Sequence, residues 1–280
     1  MTTEVSTSET STPQPAIHIG APLVIASALA STLGIVISQF LDDLGDGILA
    51  EILGGDAVLY NNRVEFTGAG DLAYAGGFLL TLAVGLFYLF GYPTMRGYGV
   101  SRLTALWTLL HVMRQALTQA MLIPLDPDSQ LALAYATFDV EPGLDLVIAV
   151  AGGLGLLLVA LAAGAAFLAF TPHRRLVSTP GRRFKLVLSL ALIPAAASVF
   201  LAIPFFLPDQ ESLVIPLLPF TAVMFLFTLA AAPGTTAAHG PDEERHTHWP
   251  IGLAFTLIVI AAFYLTVLVG GVSINPLQWG

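Results

Sequence analysis

Residues 17–46 read IHIGAPLVIASALASTLGIVISQFLDDLGD, an apolar stretch that ends in three aspartates. No Asp, Glu, Lys or Arg occurs between Ile17 and Phe40, and a helix of this length can cross about 30 Å of hydrocarbon. Asp42, Asp43 and Asp46 follow directly. The stretch therefore predicts a transmembrane helix with an acidic end.

The composition extends this interpretation to the whole chain. Of its 280 residues, 56% are hydrophobic and 10% are charged, and the mean hydropathy is +0.81. Soluble domains carry about 25% charged residues, so this chain has too few to cover a water-exposed surface. It has no cysteine, which excludes disulfides and iron–sulfur clusters, and no basic patch for nucleic acid. The expected partner is the lipid bilayer.

The predicted fold is an all-α integral membrane helical bundle with about seven transmembrane helices and a short hairpin after the first. The predicted spans are Ile17–Phe40, Leu72–Tyr92, Leu103–Ile123, Leu144–Phe170, Phe184–Leu207, Leu213–Ala232 and Ile251–Val272. Prolines in the fifth and sixth make six spans the alternative. We expect residues 1–16 to form a disordered tail and 17–272 the transmembrane domain, which includes a flexible loop at 233–249. Residues 273–280 would form a terminal tail.

The basic residues predict the orientation in the membrane. Eight of the ten lie in the connections after the second, fourth and sixth spans, for example Arg102 and Arg182. The positive-inside rule places these connections and the N-terminus in the cytoplasm, and the C-terminus outside. Fourteen of the 19 acidic residues fall on the opposite side. That excess indicates either a solubilising surface or a face that concentrates cations.

The aspartates that follow Phe40 are the main candidate site. If the helix continues, Asp42 and Asp46 lie one turn apart on one face, with Gln39 beside them and Asp43 about 100° round. Upstream on that face, small residues permit close approach of another helix: Ser27, Ser31, Gly34 and Ser38. Carboxylates alone suit hard divalent cations, so the cluster predicts a divalent cation site.

The same region resembles the site-2-protease class of intramembrane zinc proteases. Those enzymes carry H-E-x-x-H near the end of an early span, followed by a Gly-Gly pair, a short β-like stretch and a Gly-rich span. This chain reads DDLGDGILAEILGG from Asp42 to Gly55, then VLYNNRVEF and LAYAGGFLL. The resemblance covers about residues 33–90. It implies an early-span metal site, with Asp126 or Asp128 after the third span as further ligands.

The departures from the family motif concern its chemistry. Asp42 and Asp46 replace both ligand histidines, and Asp43 replaces the glutamate that activates water. The resemblance therefore implies a non-proteolytic relative that binds a cation, a lipid or a partner membrane protein. The letters D-D-x-x-D also match the magnesium-binding motif of prenyl-diphosphate enzymes. The plain structural alternative is a solvated helix end.

The third span carries polar residues at membrane depth. His111, Arg114, Gln115 and Thr118 share one face, and an arginine facing lipid would cost at least about 2.5–3.5 kcal/mol. One hypothesis is an ion pair between Arg114 and the aspartates of the first span. The other is a polar cleft in which His111 exchanges a proton and Arg114 binds an anionic group.

Other cofactors are excluded by missing residues. A retinal protein needs a lysine in its last span, and a bis-histidine haem needs paired membrane histidines; this chain has neither. His246 and His248 form an H-x-H pair in the loop at 233–249, where solvated charge is the usual role. Besides the cation-binding protease relative, the sequence leaves open a small-solute or ion transporter and an accessory subunit of a larger complex.

Overall fold

The computed structural model describes residues 19–97, 99–138, 141, 143–171, 174–207, 211–235 and 249–275. The predicted tail at 1–16 and most of the predicted loop at 233–249, including His246 and His248, lie outside them. The helices are α1 (Ala21–Ile52), α2 (Ala75–Gly91), α3 (Val100–Leu122), α4 (Gln130–Ala136), α5 (Leu144–Leu168), α6 (Pro180–Val187), α7 (Ile193–Ala202), α8 (Glu211–Ala231) and α9 (Ile251–Thr266). The strands are β1 (Asp56–Leu59), β2 (Val64–Thr67) and β3 (Val272–Ser273).

The chain is a helical, multi-pass integral membrane protein. Five segments of the described residues are long and apolar enough to cross a membrane: Ala21–Ile52, Asp71–Thr94, Leu144–Leu168, Pro180–Phe206 and Ile251–Gly270. α3, with 23 residues, is long enough to cross a membrane but is more polar than these five segments. α8 corresponds to the predicted sixth span, and Thr221–Gly234, which continues beyond its end, is a shorter apolar helical segment among the described residues. The count of seven spans, with six as the alternative, stays a prediction.

α1 is the central element of the bundle. It packs against α2, α3 and α7, and 56% of its most apolar stretch is buried, compared with 17% for Ile251–Gly270. Peripheral helices instead turn large apolar side chains outward, such as Phe87 and Phe90 on α2. In water such a surface would be an aggregation site, whereas lipid covers it at no cost.

α1 is also longer than the predicted first span. It continues past Phe40 to Ile52, so Asp42, Asp43 and Asp46 are helical residues inside the bundle. Glycines on α1 and α2 permit this extension, because a Cβ on Gly45 would collide with the carbonyl of Gly76. The two backbones therefore touch beside the acidic residues, as small-residue helix interfaces allow.

The predicted hairpin after the first helix is present. β1 and β2 pair antiparallel, with Ala57 opposite Phe66, and Tyr60 N donates to Arg63 O across the turn. β3 pairs with the other edge of β1, giving the strand order β2-β1-β3. Ser273, the first residue of the predicted terminal tail, therefore belongs to a sheet.

A π-helical turn joins α6 to α7. Leu188–Leu192 adopts this wider geometry just before Pro194, which has no amide hydrogen to continue the regular ladder. Ser27 Oγ on α1 donates to the carbonyl of Leu190 at 2.6 Å. A side chain from the neighbouring helix thus satisfies a backbone group that the irregular turn frees.

Candidate functional site: a buried acidic cluster beside α3

The three predicted aspartates point into the bundle. Asp42, Asp43 and Asp46, which we call the acidic cluster, are 2%, 5% and 1% exposed. A solvated helix end would leave such residues in water, so that alternative is wrong. Asp42 and Asp46 lie one helical turn apart and face α2 and α3, where two amide side chains and one backbone amide reach them.

Both carboxylate oxygens of Asp42 accept a hydrogen bond. Gln115 Nε2 donates to Oδ2 at 2.8 Å, and Gln119 Nε2 donates to Oδ1 at 2.7 Å. Both glutamines lie on α3, one turn apart. Two neutral donors stabilise a carboxylate in its ionised form without neutralising its charge.

In Asp46 and Asp43, one carboxylate oxygen accepts a hydrogen bond. The backbone N–H of Gly77, at the start of α2, donates to Asp46 Oδ1 at 2.6 Å. Gln39 Nε2 donates to Asp43 Oδ1 at 3.3 Å. The second oxygen of each carboxylate accepts no hydrogen bond from the described residues. A Cβ on Gly77 would lie 2.9 Å from Asp46 Oδ1, so glycine is what lets this backbone approach.

Arg114 does not pair directly with the acidic cluster. Its Nη1 donates to Thr221 Oγ1 on α8 at 2.8 Å, and its Nη2 donates to Gln115 Oε1 at 3.4 Å. Gln115 in turn donates to Asp42, so the guanidinium and the carboxylate are connected through one amide. The predicted direct ion pair between these residues is therefore wrong, although both are buried in the same network.

His111 lies one turn before Gln115 on α3, on the side away from the acidic cluster. Its ring is fully buried, stacks on Trp107 with centroids 5.5 Å apart, and places Nε2 3.0 Å from Ser31 Oγ. Ser31 Oγ donates to Ser198 Oγ at 2.8 Å. A Cβ on Gly34 would lie 2.8 Å from the imidazole, which confirms that the small-residue stripe of α1 permits close packing.

The structure separates the remaining predicted ligands from this site. Asp126 and Asp128 are exposed in the turn after α3, where Asp128 N donates to Asp126 Oδ1 at 3.3 Å. Across the described ranges, no group of three or more His, Asp or Glu side chains could hold a metal ion. The donors present are amide and backbone N–H groups, which occupy carboxylate oxygens that a divalent cation would need.

Three partners of the site were missed by sequence reasoning. Gly77, Ser198 and Thr221 donate to or accept from the predicted residues, but they lie on α2, α7 and α8. The Gly-rich entry to the second span was the one signal available for Gly77. Nothing in the periodicity of α7 or α8 distinguishes Ser198 or Thr221 from other small polar residues.

No model of a known protein family matches the chain, and comparisons with curated proteins and solved structures also find no match.

Proposed function

We propose that this protein binds protons or monovalent cations at the acidic cluster and carries them through the membrane. The observation that carries the proposal is an imbalance of charge inside the bundle. Asp42, Asp43 and Asp46 are buried together, and the described residues place a single guanidinium, that of Arg114, in their network.

The cost of burial makes this imbalance informative. An unpaired carboxylate in a protein interior costs several kcal/mol, and ionisable groups at membrane depth generally mark proton or ion pathways. Arg114, connected through Gln115, compensates one charge, that of Asp42. Asp43 and Asp46 keep two further negative charges unless each binds a proton or a cation.

The number of hydrogen bonds to each carboxylate suggests a different role for Asp42 than for Asp43 and Asp46. Asp42 has a donor on both oxygens and serves as the fixed counter-ion of Arg114. Asp43 and Asp46 each keep one oxygen without a donor from the described residues. We therefore assign exchangeable proton or cation binding to Asp43 and Asp46. The relationship to site-2 proteases stays a prediction, and this donor set does not favour a divalent metal.

The test uses full-length protein in sealed lipid vesicles, with proton and sodium fluxes recorded by internal dyes. Asp46→Asn mimics the protonated residue and keeps the shape, so we expect it to lose most of the flux. Asp128→Asn is the matched control, because it removes an exposed carboxylate on the turn after α3 and should leave the flux unchanged.

A second readout is the melting temperature of the purified protein as a function of pH and NaCl. The melting temperature of the wild type should depend on pH or on NaCl, and Asp46→Asn should lose the part of that dependence that Asp46 contributes. Equal behaviour of Asp46→Asn and Asp128→Asn in both assays would overturn the proposal. Stabilisation by a divalent cation alone would favour the metal-site hypothesis instead.

A further inference from the structure

One face of α3 carries polar atoms that the protein itself does not satisfy. His111 Nδ1, Arg114 Nε and Thr118 Oγ1 are buried and have no hydrogen-bond partner among the described residues. Their side chains are 0%, 3% and 1% exposed. We call these three atoms the α3 polar face. Each unsatisfied buried polar group costs about 1–3 kcal/mol, so three of them on one face indicate a bound ligand.

The positions of the hydrogens define what this ligand must offer. Ser198 Oγ donates to Ala195 O, so it accepts from Ser31, whose only hydrogen is thereby used. Ser31 must then accept from His111, which places the imidazole hydrogen on Nε2. His111 Nδ1 is consequently an acceptor, Arg114 Nε is a donor, and the Thr118 hydroxyl can act as either. Water is the small ligand that both donates and accepts.

This face continues into the acidic cluster. Gln119 follows Thr118 in the chain, and its Nε2 donates to Asp42 while its Oε1 has no partner among the described residues. Residues 111, 114 and 118 recur at three- and four-residue intervals, so their side chains are neighbours on the helix surface. At about 1.5 Å per residue, the distance along α3 from His111 to Gln119 is about 12 Å.

Resting on the proposed function, we infer that water molecules bind along the α3 polar face and connect the acidic cluster to His111, so that the ion carried is the proton. Buried waters make about three hydrogen bonds to otherwise unsatisfied groups, which this face supplies. A proton can pass along hydrogen-bonded water, whereas a sodium ion would need a continuous set of oxygen ligands. His111 and Arg114 provide nitrogen instead.

Each transfer changes only N–H and O–H bonds. A proton that reaches Nδ1 from water gives an imidazolium with hydrogens on both nitrogens, and its return from Nδ1 to that water restores the neutral ring with its hydrogen on Nε2. The charged groups near the ring are Arg114 on α3 and, through Gln115, Asp42 on α1. The uncharged groups against it are Trp107 on α3, Ser31 on α1 and Phe225 on α8, and Ser198 on α7 is connected through Ser31. Asp42 therefore offsets the repulsion that Arg114 would exert on a passing proton.

The decisive variant is Thr118→Val, which removes one hydroxyl and keeps the side-chain shape. We expect proton flux in vesicles to fall by about tenfold, equivalent to about 1.4 kcal/mol. Thr104→Val is the matched control on the same helix, because Thr104 Oγ1 only donates to the carbonyl of Val100 one turn earlier. It should conduct as the wild type does.

A second variant, His111→Phe, keeps an aromatic ring against Trp107 and removes both nitrogens. It should also reduce proton flux, while the pH dependence of the melting temperature that arises from Asp43 and Asp46 persists in both variants. Loss of flux together with loss of that dependence would mean a damaged acidic cluster and would contradict the path.

The outcomes separate this inference from the proposed function. Proton flux in Thr118→Val equal to that of Thr104→Val would overturn the water path and leave the acidic cluster as the binding site. Sodium flux without proton flux in the wild type would overturn the path but support the carrier. Absence of both fluxes in the wild type would overturn both proposals.

Discussion

The α1–α3 interface has two ends that are built in different ways. At the neutral end, Trp107 Nε1 donates to Ser27 Oγ and His111 contacts Ser31, so the paired groups are all uncharged. At the acidic end, Asp42 accepts from two α3 glutamines. These contacts advance in the same direction along both helices, which shows that α1 and α3 run parallel.

The difference between the two ends indicates which is structural and which is functional. Apart from His111 Nδ1, which belongs to the α3 polar face, these neutral contacts hold the helices together and gain nothing from an added ion. The acidic end contains more carboxylates than its guanidinium can balance, so its stability must depend on what binds there. Changes to the serines of the neutral end should lower stability, and changes at the acidic end should also alter the dependence of stability on ions.

The largest effect is expected where α2 meets the acidic end. In Gly76→Ala the new methyl group would overlap the carbonyl of Gly45, and backbone cannot move aside as a side chain can. We expect a loss of about 3 kcal/mol or failure to fold, measured by thermal unfolding in detergent. Gly91→Ala on the same helix has open space around its Cβ and should change little. Similar stability of the two variants would show that α1 and α2 can separate freely here.

A smaller effect is expected for the connection between Arg114 and Asp42. Gln115→Leu removes the donor to Asp42 Oδ2 and the acceptor for Arg114 Nη2, so we expect a loss of about 2 kcal/mol. Gln119→Leu is the matched control, because among the described residues Gln119 bonds to Asp42 alone, and its loss should cost less. A chemical-denaturation series compares them, and a larger loss in Gln119→Leu would show that Arg114 does not need Gln115.

The smallest effect is expected at the neutral end. Ser31→Ala leaves His111 and Ser198 without their shared partner, and membrane hydrogen bonds of this kind contribute about 1 kcal/mol. Ser38→Ala is the control, because its hydroxyl only donates to Ile35 O within α1. The melting temperature should fall in the first variant alone, and the pH dependence that arises from Asp43 and Asp46 should be unchanged. Equal melting temperatures of the two variants would show that the Ser31 contacts do not stabilise the interface.

Periodicity in the sequence predicts both faces of the α1–α3 interface. The serine and glycine spacing on α1 and the polar spacing on α3 each predict a single face, and these faces meet. What periodicity could not supply is the rotation of one helix against another. A direct pair of Arg114 with Asp42 fits the sequence as well as the connection through Gln115 does, because the outcome depends on where Thr221 of α8 lies.

The length of the first helix shows a second limit of sequence reasoning. An apolar run that stops at Phe40 predicts the end of a span, since charged residues are costly in lipid. Here the bundle itself, through Gly76, Gly77 and the α3 glutamines, replaces water as the surroundings of the acids. That replacement depends on tertiary contacts and has no signature within the helix.

The pairing of β3 with β1 has a consequence for how the protein is made. Residues 60–271 separate Val272 from Leu59, its partner in the sheet, so this edge of β1 stays unpaired until the final helix is inserted. Contacts between residues so distant in sequence form late. Ribosomal synthesis must therefore finish the last membrane helix before the hairpin that follows the first one acquires its third strand.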